Sequence, residues 1–144
     1  MATFTFFQQF KENMGKGVHD FTSDATCTLT CALVNNANGV SVSADAVLAD
    51  ITQIAYTNLS SRVITGVTSE HASGTAPVTA TDLVLSASGG AVAAFRYIVV
   101  YDDDPTSPTD PLIGYLDYGS DLTLADGESL TLDFGANGLF TISG

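Results

Sequence analysis

Two neighbouring runs constrain this chain more than any other part of it. In FRYIVVY, residues 95–101, alternation puts Phe95, Tyr97, Val99 and Tyr101 on one side and Arg96, Ile98 and Val100 on the other. In LIGYLDYG, residues 112–119, Leu112, Gly114, Leu116 and Tyr118 alternate with Ile113, Tyr115 and Asp117. A strand apolar on both faces needs a covering layer on each. The runs therefore predict paired central strands inside a layered β fold. Residues 102–111 connect them and include Pro105, Pro108 and Pro111. Proline cannot donate a ladder hydrogen bond, so the backbone must leave the sheet there.

The rest of the chain fits this frame. From residue 24 onward it is rich in Thr, Val, Ile, Leu, Phe and Tyr, punctuated by Gly, Asn, Asp, Ser and Pro. The pattern predicts strands near 24–34, 61–70, 80–87, 94–102, 112–118, 121–125, 128–134 and 138–142. LTLADGESLTLDF reads as a hairpin, with Leu122 and Leu124 before an Asp126-Gly127 turn and Leu130, Leu132 and Phe134 after it. Residues 5–15 are the one good helix candidate. Thr5 caps it, Phe6, Phe7, Phe10 and Met14 recur at helical spacing, and Gly15 and Gly17 stop it. So short a helix is not stable alone and must lay its Phe/Met face on its own domain or on a neighbour. Residues 47–61 read equally as a helical turn or an extended crossing loop. At 144 residues, with no repeat and no linker, the chain is one domain. The expected class is mainly β: a single β-sandwich or jelly-roll-like domain, with residues 1–20 as an N-terminal helical arm and 21–144 as the β core.

Charge excludes several partners. Sixteen Asp and Glu stand against four Lys and Arg, a formal net charge of -12. Such a surface repels phosphate backbones and anionic membranes, so no nucleic acid and no membrane partner is expected. No apolar run approaches the ~18 residues of a membrane span. The first residues show no secretory pattern, which points to folding in a cytoplasm. Cys27 and Cys31 lie four apart on one predicted strand, about 13 Å, too far for a disulfide. They are expected to be free, buried thiols.

Asp102, Asp103, Asp104 and Asp110 are the candidate metal ligands, with calcium the ion they would suit. They do not follow D-x-D-x-D-G, and adjacent side chains on an extended chain point apart. The competing reading is a solvated tip at a proline-broken connection. Glycosidase-like carboxylate catalysis needs paired carboxyls in a cleft, usually with aromatic platforms, and the chain has no Trp. His19 and His71 stand in no catalytic motif, and no phosphate-cradling glycine pattern follows a strand. No catalytic residue, cofactor or small-molecule substrate is assigned. Arg96, a rare cation in the most apolar run, is expected to pair with a carboxylate of its own chain or of another subunit.

The order F-x-x-F…KGVHDF, then a CALVN strand, then LADITQI, then FRYIVVYDDDPTSPTDPLIGYLDYGSDLTLADGESLTLDFGANGLFTI resembles a family of small tailed-phage virion structural proteins. The likeness covers nearly the whole chain and is densest over 94–134. The middle, SRVITGVTSEHASGTAPVTATD, is less Gly-rich than the family's pattern, and the cysteines are no family mark. The resemblance implies a non-enzymatic capsid decoration, or cement, protein. It would assemble in the host cytoplasm, bind the major capsid protein on the outer head surface, and associate with itself as a homotrimer. Phe6, Phe7, Phe10, Met14 and Arg96 are the candidate interface residues. The alternatives are a tail-associated or host-binding virion protein, and a calcium-dependent carbohydrate-binding module built on the four aspartates.

Overall fold

The computed structural model describes residues 4–21, 28–71, 73–134 and 138–143. Among these the chain is mainly β, with one α-helix and three antiparallel sheets arranged like a β-sandwich. The strands are β1 (Phe4–Phe6), β2 (Leu29–Val34), β3 (Val63–Ile64), β4 (Thr68–Ser69), β5 (Thr75–Thr79), β6 (Leu83–Ser86), β7 (Phe95–Asp102), β8 (Leu112–Leu122), β9 (Ser129–Leu132) and β10 (Phe140–Ser143). Helix α1 is Gln8–Gly15, and a single 3-10 turn spans Leu48–Asp50. The main sheet runs β1-β8-β7-β2-β3. A three-stranded sheet runs β10-β5-β4, and β6 pairs β9.

The FRYIVVY and LIGYLDYG runs form the centre of the main sheet, β7 paired antiparallel to β8. Alternation divides β2 cleanly. Leu29, Cys31 and Leu33 face one core, shared with Ile98, Val100, Val78, Leu85, Leu132 and Phe140. Ala32 and Val34 face a second, shared with Val99, Tyr101, Leu112, Phe7 and Ile51. The small sheets thus cover one face of the main sheet. The segment carrying Val40, Leu48 and Ile51 covers the other.

Simple alternation fails in two places. Register breaks lie between Phe95 and Tyr97 and between Val100 and Tyr101. The first turns Phe95 to the same core as Ile98 and Val100, rather than to that of Tyr97 and Val99. The second sets Ile113 and Leu116 in one core and Leu112 and Tyr115 against the other. The second break inserts one extra residue in β8 and so reverses the parity beyond it, whereas the first sets five steps of β8 against two of β7.

Other expectations need correction. The helix starts at Gln8 with Phe7 at its N-cap, because Phe4–Phe6 pairs with β8 instead of joining the helix. Residues 112–118 and 121–122 form one strand that continues to Leu122. The turn at 125–128 is present, with Glu128 N–H donating to the Ala125 carbonyl at 2.9 Å. The strand after it does not fold back on 122–124, however. Leu130 and Leu132 pair with Leu85 and Leu83. Strand β5 has no counterpart among the expected strands, and 61–70 holds two short strands instead of one. Cys31 is free and fully buried, and burial pushes its thiol up to about 12. Cys27 lies outside the described residues.

Candidate functional site

The four aspartates do different things. Asp102 is the last residue of β7, opposite Leu29, and is only 2% exposed. It is no part of a solvated tip. One carboxylate oxygen lies 2.9 Å from His19 Nδ1, and the other accepts from the Asp104 N–H at 3.3 Å. Asp104 accepts from the Thr28 N–H, while the Asp103 N–H donates to the Thr28 carbonyl at 2.9 Å. Asp110 has a positive φ of 48°. Its carboxyl is raised above the ordinary range, first by burial and then by the charge of Asp103, to which it also hydrogen-bonds. The β7 end of the connection is thus tied to His19 and Thr28, both distant in sequence, and Asp110 bonds to Asp103 within it. Among the described residues no group of three or more His, Cys, Asp or Glu is placed to hold a metal ion.

His19 and Asp102 would be two members of a hydrolytic triad if a nucleophile met the other ring nitrogen. Here the ring stacks on Phe21, 5.6 Å between centroids and 6° from parallel, with Phe10 at 5.3 Å. Nε2 is buried and has no hydrogen-bond partner among the described residues. Among the described residues no hydroxyl or thiol meets that nitrogen. The pair closes one end of the larger core. His71 serves a local turn, its Nε2 accepting from the Gly74 N–H at 3.0 Å.

The candidate interface residues separate into two groups. Phe7 is fully buried and Phe10 is 5% exposed, each in this chain's own core. Phe7 is thus closed to a neighbour, and Phe10 offers one only a small edge. Arg96 makes a two-pronged bond to Asp117, at 2.7 and 2.9 Å, and a third to the Asn36 side-chain oxygen at 2.6 Å. That pairing raises the arginine and holds Asp117 below the usual carboxylate range. Arg96 is therefore engaged within its own chain. Phe6 and Met14 remain partly exposed.

With Phe10, Lys11, Thr141 and Ile142, those two residues line a groove of about 430 Å³ between α1, β1 and β10. Positions 10 and 14 share one helix face, and Lys11 sits one row over, at the rim. By spacing alone Lys11 is only a polar residue between apolar ones. The other flank of α1 also carries a groove, of about 480 Å³, lined by Gln9, Asn13, Lys16, Val47 and Pro108 among others. There Lys16 is already paired with Glu12. The two flanks thus differ in that Lys11 makes no ion pair among the described residues.

No protein-family model, no curated protein and no solved structure matches this chain.

Proposed function

We propose that the protein is a non-enzymatic phage virion component, a capsid decoration protein that binds the outer head surface as a homotrimer and stabilises the shell. The observation that carries this reading is the groove beside α1. Phe6, Met14 and Ile142 lie half-covered around it, a contiguous apolar surface of the kind that marks protein–protein contacts. Two further features support it. The wording that resembles the virion family falls on β7 and β8, the centre of the main sheet. The net charge of -12 suits a protein that sits outside a shell and away from packaged DNA.

The test uses heads prepared without the protein, to which purified protein is added back. Wild type is expected to bind as an oligomer and to raise the temperature at which heads rupture. Met14→Asp, at a half-covered residue that also touches the core, should remain folded at the assay temperature and bind heads at least tenfold more weakly. Heads that take up no wild-type protein, or take up Met14→Asp equally well, would sink the proposal.

A further inference from the structure

The groove beside α1 also carries a clue to what occupies it. The chain has four Lys and Arg against sixteen Asp and Glu. Three of the four cations are engaged. Lys16 pairs with Glu12, and Arg96 with Asp117. Arg62 donates to the Cys31 carbonyl and lies 3.7 Å over the Tyr56 ring. Lys11 is exposed and, among the described residues, has neither an ion pair nor a hydrogen bond. It stands on the rim of the groove formed by Phe6, Phe10, Met14 and Ile142.

We infer that this groove docks a segment of another protein that presents apolar side chains flanked by a carboxylate, and that Lys11 selects the carboxylate. The inference rests on reading this face as a docking surface and names the chemistry of what docks. A volume of about 430 Å³ lies within the ~300–1,000 Å³ of ordinary binding sites and admits a pair of apolar side chains. The apolar walls supply affinity without discriminating between partners. Discrimination comes from charge: over a surface of net charge -12 an acidic segment is repelled, and Lys11 reverses that locally. One exposed ion pair is worth up to about fivefold in affinity, and a like-charge contact penalises by a similar factor.

The experiment titrates the full chain with three octapeptides, alternating Leu-Asp, Leu-Lys and Ser-Asp, and follows the Met14 methyl signal by NMR. The Leu-Asp peptide should bind about tenfold more tightly than Leu-Lys, and Ser-Asp should not shift the signal. Lys11→Glu, an exposed change that should leave the melting temperature unaltered, should reverse the order of the first two. Equal binding of Leu-Asp and Leu-Lys, or no binding of either, overturns the inference. Sedimentation of the protein alone supplies a further check. If wild type self-associates and Lys11→Glu takes the assembly apart, the occupant is a second copy of this chain and the separate partner falls. Failure here is distinct from failure of the head-binding reading. Lys11→Glu binding heads like wild type, while Met14→Asp does not, removes the charge selection and leaves the docking face.

Discussion

The two faces of the main sheet are covered in different ways. On one, strands lie on strands: Leu29, Cys31 and Leu33 pack with Val78 of β5, Leu85 of β6 and Leu132 of β9. On the other, Ala32, Val34, Val99 and Leu112 lie under Phe7, Ile51 and an irregular segment. That segment meets its backbone needs outside any sheet. Gln8 N–H donates to the Val42 carbonyl, Leu48 N–H to that of Asp110, Leu112 N–H to that of Ala46, and Ile54 N–H to that of Leu33, all at 2.9–3.0 Å. A loop can therefore serve as a layer, provided its polar backbone is paired. It should also yield more easily than a sheet.

The sharpest test of this contrast uses one chemistry on both faces. Leu33 and Leu112 are both fully buried, one on each side. Leu33→Ala should cost about 4 kcal/mol and Leu112→Ala about 2.5 kcal/mol in urea unfolding, because a loop collapses into a cavity further than a pinned sheet does. Equal costs would break the comparison. At the end of the sheet-covered core, Asp102→Ala strands the His19 ring nitrogen without its partner and should cost about 3 kcal/mol. The double change His19→Phe with Asp102→Leu should recover most of that loss. If it does not, the pair matters beyond satisfying itself.

At Gly114 an added Cβ would collide with the Phe4 ring and lie 2.7 Å from the Thr5 carbonyl oxygen. Gly114→Ala should cost about 2 kcal/mol by pushing β1 off β8, and amide exchange should speed up in residues 4–6 before any other strand.

The smallest effect concerns the anchor of the loop-covered face. The Asp110 carboxyl titrates above its ordinary 3.8, so its ionised form opposes folding. Asp110→Asn keeps the positive φ, which Asn tolerates, and should raise stability at pH 7 by roughly 0.5 kcal/mol. The gain is complete above the raised folded value, shrinks as pH falls through it, and vanishes below about 3.8. A gain that persists at pH 3 would contradict this account.

The β class, the central pairing of β7 with β8, the burial of Cys31 and the amphipathic helix are all legible in the sequence, because each follows from local periodicity. The features that escape it depend on distant segments. By sequence Asp102 is the first letter of a polar tip. Its burial is decided by Leu29 across the sheet and by His19, 83 residues away, and no neighbouring residue signals either. The turn at 125–128 is legible while the pairing of its strands is not. A turn fixes the reversal of the chain but not which edge is open to receive it, and here the open edge belongs to β6. Phe95 falls on the opposite face from the one alternation assigns, because strict alternation cannot foresee a bulge. The groove is half legible: Phe6 and Met14 stand among the interface candidates, whereas Lys11 gains meaning only when the other three cations are seen to be occupied.

The ring of Phe140 stands 5.2–5.7 Å from those of Phe4, Phe6, Phe10 and Phe21. One wall of the groove therefore comes from residues 6–14 and the other from residues 141–142. The two walls are far apart in sequence and meet only through the fold. The groove therefore exists only once these two distant segments have met, and loss of residues 140–142 would remove one of its walls.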